Sequence, residues 1–226
     1  MQNLNFAVVT RLQLCEMPFI DEFIEYYLKL GINKFYLINT EPQNEEKIRL
    51  LLKKFESFIE LITNYDVEMV NDCACLALEF ISEDFTLHVD MDEFLYLDGK
   101  NLQQFISNFS SVESDTSKDA FVFNWIMSPE IDAFCGSVSE IIRKRRFFVG
   151  NEVKTLAKTK VIKKIKNHRF DYKWPLNEIN LNENDNCFVF HVSSRGILDI
   201  INRIAFSQIK DNKTTANNKE ELRQLM

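Results

Sequence analysis

The alternation of short β-branched or aromatic runs with amphipathic segments over residues 6–89 constrains this chain most. Phe6 to Thr10 reads as a strand, and Arg11 to Met17 as a loop. From Pro18 to Leu30, the residues Phe19, Ile20, Phe23, Ile24, Tyr27 and Leu28 recur at helical period, with Pro18 at the start and Gly31 at the end. Lys34 to Ile38 reads as a second strand, Asn39 to Asn44 as a polar turn, Glu45 to Phe58 as a helix and Ile59 to Asn64 as a third strand. Asn71 to Ile81 reads as helical and Phe85 to Val89 as a fourth strand. Strands and helices alternating at this spacing imply an α/β fold, a parallel sheet with helices on both faces. Ligands of such sheets sit outside the carboxyl ends of the strands. Arg11, Asn39, Asp90 and Asp92 each follow a strand end, so the pattern predicts that they gather at one edge.

The fourth strand runs into Asp90-Met91-Asp92-Glu93 and then Phe94-Leu95-Tyr96. In an extended segment, residues two apart point the same way, which would present Asp90 and Asp92 together. Converging carboxylates beside apolar surface are stable as anions only with a cation or strong donors between them. Hard oxygen ligands suit Mg²⁺ or Mn²⁺, ions that commonly carry phosphates. The bland alternative is a solvated turn or a helix cap, but the apolar flanks wedge these acids into what reads as core.

Beyond residue 101 the character changes. Leu102 to Phe109 reads as a short helix, Ser110 to Lys118 as a polar loop and Ala120 to Ile126 as a strand carrying Trp125. Ile141 to Val149 and Val153 to Ile165 read as two strands joined at Gly150-Asn151, a hairpin-turn pair. Cys187 to Val192 reads as a strand and Gly196 to Ile209 as a closing helix. These boundaries predict a single domain over residues 1–209 and a polar tail over 210–226.

The formal charge of −7 argues against general nucleic-acid binding. Arg143-Lys144-Arg145-Arg146 and the lysines from Lys154 to Lys166 are local exceptions, able to meet a phosphorylated ligand or an anionic membrane, or simply to line a solvated strand face. The five cysteines, at 15, 73, 75, 135 and 187, lack disulfide-framework or zinc-finger spacing and read as reduced thiols of a cytoplasmic protein. Residues 1–10 carry no apolar core behind a basic stretch, so no secretory leader is expected. No apolar run approaches the ~18 residues of a membrane span.

The chain from about residue 6 to 207 resembles the GT-A glycosyltransferases that use nucleotide sugars, nearest to the bacterial family 2-like group related to family 92. The resemblance rests on Val9-Thr10-Arg11, Cys15-Glu16, Glu22-Phe23-Ile24-Glu25-Tyr26-Tyr27, Leu30-Gly31-Ile32, Asp90-Met91-Asp92-Glu93-Phe94-Leu95, Trp125, Val153 to Lys158, His168 and His191-Val192. The chain departs from the family at Cys15, at Asn39-Thr40-Glu41-Pro42-Gln43-Asn44, where an acid gives way to an amide, and at Ser128 to Asp132, which replaces a glycine-rich loop.

The resemblance implies a Rossmann-like mixed sheet and an inverting, metal-dependent transfer of sugar from a UDP- or GDP-linked donor to a glycan or glycolipid. The setting would be the cytoplasmic side of lipopolysaccharide or capsule synthesis, with at most peripheral membrane contact. Asp90 would contact the ribose or the metal, and Asp92 would bind Mn²⁺ or Mg²⁺. His191 would be the third ligand, with His168 as its competitor and His88 in a core or supporting role. Arg11 and Asn39 would flank the nucleotide, while Lys154 and Lys158 would hold diphosphate oxygens. Glu130 and Asp132 are the general-base candidates. Trp125 would stack on a sugar or fill the core.

A metal-dependent nucleotidyltransferase is the competing enzyme, but the loop after the first strand has none of the expected glycines. A degenerate binding or scaffold module is the non-enzymatic alternative. The altered turn and loop favour it, and the intact acidic pair opposes it.

Overall fold

The structure, a computed structural model, describes residues 3–66, 72–110, 118–127, 137, 140, 147–181 and 185–192. Its first half follows the alternation closely. Strand β1 (Phe6–Leu12) leads through a 3₁₀ segment into helix α1 (Ile20–Leu30). Strand β2 (Lys34–Asn39), helix α2 (Glu45–Leu52), strand β3 (Ile59–Thr63) and strand β4 (Phe85–His88) follow. Gly31 ends α1 with φ 104°, a left-handed cap that costs a side chain dearly and glycine little. α2 is shorter than its sequence pattern suggests and gives way to a 3₁₀ turn at Lys53–Phe55. Cys73–Glu79 is likewise 3₁₀ rather than α-helical.

Strand β5 (Glu93–Leu97), helix α3 (Leu102–Ser110), strand β6 (Ala120–Met127) and strand β7 (Phe148–Lys158) come next. They are followed by β8 (Ile162–Ile165), β9 (Phe170–Tyr172), β10 (Glu178–Leu181) and β11 (Cys187–His191). Among the described residues one sheet has the order β3-β2-β1-β4-β7-β6-β11-β5, with β10 beside β6, and β8 pairs β9 separately.

The sheet is parallel from β3 to β4; β7 then runs antiparallel to both β4 and β6, while β6 is parallel to β10 and β11 and β11 is antiparallel to β5. The parallel arrangement read from residues 6–89 holds for those strands, and the later strands make the whole sheet mixed, as the resemblance implies. Successive connections run outward from β1 through β2 to β3, then jump back so that β4 lies on the other side of β1. The crevice between the carboxyl ends of β1 and β4 is the switch point where such sheets bind ligands.

Gly150-Asn151 is not a hairpin turn. β7 passes straight through it, and the register with β6 shifts between Asn124 and Ile126. A Cβ on Gly150 would lie 2.9 Å from Met127 Sδ and 3.4 Å from Trp125 Cβ. The glycine therefore serves close strand approach at an irregular pairing, where extra residues bend the strand and re-aim neighbouring side chains. Nor is Val153 to Ile165 one strand, since Thr159–Val161 turns the chain into the separate β8–β9 ribbon.

Both sheet faces are covered. On one, Phe6, Val8, Phe35 and Phe94 pack against Phe23 and Tyr27 of α1, Ile48 and Leu52 of α2, and Leu102 and Phe105 of α3. On the other, Ala7, Val9, Tyr36 and Ile38 pack against Cys73, Ala74, Ala77 and residues of β8 and β9. The strands of the parallel half are apolar on both faces as a result, which is why they read as continuous hydrophobic runs. The helix expected at 196–209, the tail at 210–226, the basic run at 143–146 and the loop at 128–132 lie outside the described residues.

Candidate functional site

The acidic motif is a turn. The Glu93 N–H donates to the Asp90 carbonyl at 3.0 Å, and the Asp90 N–H donates to Glu93 Oε2 at 2.6 Å. An i to i+3 turn of this kind replaces the extended geometry expected from the sequence. Met91 goes into the core, Asp90 and Glu93 share Lys154, and Asp92 takes a different partner.

Asp90 is held by two cations. Arg11 reaches one carboxylate oxygen at 3.1 Å, and Lys154 reaches the other at 3.0 Å. Lys154 arrives from β7, across the antiparallel pairing with β4, and none of its side chain is exposed. Its ammonium also contacts Glu93 Oε2 at 2.9 Å and donates to the Asn167 carbonyl at 2.8 Å. An ammonium has three donors, and these three oxygens use them. Burial works to raise the Asp90 carboxyl, but Lys154 and then Arg11 outweigh it and hold Asp90 well below the usual carboxylate range. Burial pushes Glu93 up to about 7 against the pull of Lys154. Lys154 itself is opposed by burial, yet Glu93 and Asp90 keep it above its ordinary value.

Asp92 meets a different partner. Its Oδ2 lies 3.6 Å from His191 Nε2 at the end of β11, and its carbonyl accepts the Val192 N–H at 2.8 Å. β11 runs parallel to β6 and antiparallel to β5, with His191 opposite Glu93, so the imidazole reaches the same edge as Asp90. Burial opposes a charge on His191, but Asp92 outweighs it and the imidazole sits above its usual value. Trp125 stacks on His191 with centroids 4.3 Å apart and planes 21° apart. It meets His168 edge-on at 5.3 Å, and the Lys154 ammonium lies 5.5 Å from its ring.

Arg11, Asp90, Asp92, Lys154, His168 and His191 thus gather at one edge. Asn39 ends β2 at that edge, but its amide is buried, accepting the Glu41 N–H at 2.8 Å and meeting Thr63 at 3.4 Å. Lys158 is set apart. It pairs with Phe85 at the amino end of β4 and forms an ion pair with Asp119 at 3.0 Å. His88 is buried and burial drives it down to about 3; its Nδ1 lies 3.0 Å from the Lys166 carbonyl, which assigns the proton to that nitrogen. Glu130 and Asp132 lie outside the described residues. Glu93 and Glu152, partners of Lys154 and His168, carry no role in the sequence reading. The three carboxylates in the 90–93 run are the one signal that pointed to Glu93.

Among the described residues, no group of three or more His, Cys, Asp or Glu side chains is arranged to hold a metal ion. Asp92 and His191 remain as a pair of donors 3.6 Å apart, one carboxylate oxygen and one imidazole nitrogen. Two protein donors suit a hard cation that completes its shell with water and substrate phosphates. They fit Mg²⁺ or Mn²⁺ in that sense, whereas both oxygens of Asp90 are already engaged.

The architecture is a Rossmann-like mixed α/β fold of the GT-A and nucleotidyltransferase type. Neither a protein-family model nor a curated protein sequence matches the chain. HddC from Yersinia pseudotuberculosis shares the fold at 12% identity over 87% of this chain and 96% of that one, with a TM-score of 0.51. HddC complexed with GMP-PN matches at 14% identity over the same shares, with a TM-score of 0.50. The S. aureus TarS 1-349 structure in complex with UDP matches at 11% identity over 81% of this chain and 62% of that one, with a TM-score of 0.46. At such identities the likeness is one of fold. No helix among the described residues is long and apolar enough to cross a membrane.

Proposed function

We propose that this chain is a metal-dependent glycosyltransferase. It moves sugar from a UDP- or GDP-linked donor to a glycan or glycolipid, with inversion, on the cytoplasmic side of cell-surface polysaccharide synthesis. The observation that carries the proposal is the pairing of two unlike groups at the switch-point edge. One is the fixed Arg11–Asp90–Lys154–Glu93 network, and the other is the Asp92–His191 pair beside it. The HddC complex with GMP-PN supports a nucleotide-linked donor on this fold.

Arg11 carries five N–H donors, and with Asp90 fixing one nitrogen its fork is oriented for an anion at the edge. Lys154 spends its donors on Asp90, Glu93 and Asn167, so its part is to neutralise and brace the acids rather than to grip phosphate. Asp92 and His191 would hold Mn²⁺ or Mg²⁺, which when bound supplies positive charge to the leaving diphosphate. Trp125, stacked on His191, keeps that imidazole turned toward Asp92.

Thermal shift with a panel of UDP- and GDP-sugars, with and without Mn²⁺, tests the proposal. A selective, Mn²⁺-dependent rise in Tm is expected. No shift with any donor would favour the scaffold alternative.

A further inference from the structure

His168 sits in a tight turn that is braced from beneath. The Lys166 N–H closes the turn on the Arg169 carbonyl at 3.1 Å. Lys154 donates to the Asn167 carbonyl at 2.8 Å, and His88 Nδ1 donates to the Lys166 carbonyl at 3.0 Å. The same Lys154 ammonium holds Asp90, so the turn is tied directly to the acids. The turn forms one wall of an open cleft of about 580 Å³, with Asn151, Glu152 and Val153 of β7 and Asp72 completing the lining.

Within the cleft Glu152 Oε2 lies 3.5 Å from His168 Nδ1, a buried nitrogen with no hydrogen-bond partner. A carboxylate at one ring nitrogen leaves the other to act on a substrate, and such pairs commonly tighten only when substrate binds. Trp125 lies nearly perpendicular to His168 and stacks on His191, so one indole links this pair to the Asp92–His191 pair.

We propose that the cleft holds the acceptor and that His168 is the general base for the acceptor hydroxyl, with Glu152 orienting its imidazole. The inference rests on the proposed function and names a base and an acceptor subsite for it. The acceptor class follows from the lining. Amides of Asn151 and Asn167, carboxylates of Asp72 and Glu152, and the Arg169 guanidinium offer donors and acceptors of both signs. Vicinal sugar hydroxyls donate and accept at once, and a mixed lining favours them over a polyanion. In the step, the acceptor O–H proton passes to the free nitrogen of His168 and the oxygen's electron pair forms the new bond to the anomeric carbon. The bond from that carbon to the diphosphate breaks, and the nucleoside diphosphate leaves with its electron pair.

The groups around His168 suit a neutral imidazole. Burial and then Lys154 lower it, Glu152 and Asp90 pull it up, and Arg11 adds to the lowering. Lys166 and Arg169 flank it in its own turn, each beside an acid, Asp171 at 2.8 Å and Glu178 at 4.0 Å.

The test measures nucleoside diphosphate release and transfer to a panel of alkyl glycosides, with UDP- and GDP-hexoses and Mn²⁺, across the pH range. His168→Gln should keep the donor-induced thermal shift, lose turnover by about 10²–10⁴-fold, and lose the acidic limb of the pH profile. His168→Gly should recover turnover with added imidazole, which a purely structural role would not allow. Glu152→Gln should show a smaller loss. Wild-type turnover and pH profile in His168→Gln would overturn the assignment and leave the proposed function standing. So would loss of donor binding in that variant without imidazole rescue in His168→Gly. Absence of any donor shift in the wild-type chain would overturn both.

Discussion

The parallel half of the sheet and its mixed half build the edge in different ways. Strands β1 to β4 deliver Arg11 and Asp90 through local logic, Arg11 as the last residue but one of β1 and Asp90 just beyond β4. The mixed half delivers Lys154, Trp125 and His191 from strands that reach the edge only by long-range pairing. The first half supplies acids that would repel one another, and the second supplies the cation and the rings that make them tolerable. Lys154 is the joint. Buried charges of this kind are stable only when paired and hydrogen-bonded, so neither half can be complete at the edge without the other.

Removing the joint should have the largest effect. Lys154→Met leaves Asp90 and Glu93 without their shared counter-ion, at a cost of about 3–5 kcal/mol. At roughly 2–4 °C per kcal/mol for a chain of this size, the Tm should fall by about 10 °C in a calorimetric scan. A fall of only a degree or two would mean that the mixed half is a passive cover.

Gly150→Ala comes next. The new methyl meets the Met127 sulfur, which can move, and approaches Trp125, which is packed between histidines. The expected cost is about 1 kcal/mol, with altered Trp125 fluorescence in a Trp174→Phe background. Unchanged emission would show that the irregular β6–β7 pairing does not set the indole.

Acid titration separates Asp90 from its neighbours. Its folded-state carboxyl is depressed, so its contribution is complete above the ordinary carboxylate value near about 4 and is lost as pH falls through its folded value. Asp90→Asn should flatten the decline of Tm below about pH 4. An unaltered slope in that variant would place the depressed group elsewhere.

Lys158→Ala should matter least. The pair with Asp119 is at the opposite edge, and its loss should cost about 0–1 kcal/mol while donor binding stays as in the wild type. Weakened donor binding would break the division between the two edges.

The parallel half was legible because burial on both faces writes continuous apolar runs, and because Gly31 marks the end of α1; Pro18, read as its start, lies instead inside the preceding 3₁₀ segment. The mixed half was not. Gly150-Asn151 has the composition of a turn, but what decides its conformation is the approach of Met127 and Trp125 from β6, which no local pattern encodes. Strand β5 hides in the aromatic run after the acids, because Phe94, Leu95 and Leu97 are all buried and the alternation expected of a half-exposed strand is absent. The edge clustering of Arg11 and Asp90 follows from strand ends alone. The separate partners of Asp90 and Asp92 do not, since a turn rather than an extended segment carries them.

Calorimetric titration of UDP- and GDP-sugars with Mn²⁺ into the wild-type chain and into Asp92→Asn tests most directly that the two halves together make a donor site. The account predicts binding of at least one donor that needs Mn²⁺ in the wild type and is lost in Asp92→Asn, while the variant keeps the wild-type fold by circular dichroism. Equal, metal-independent binding in both proteins, or none in either, would contradict it.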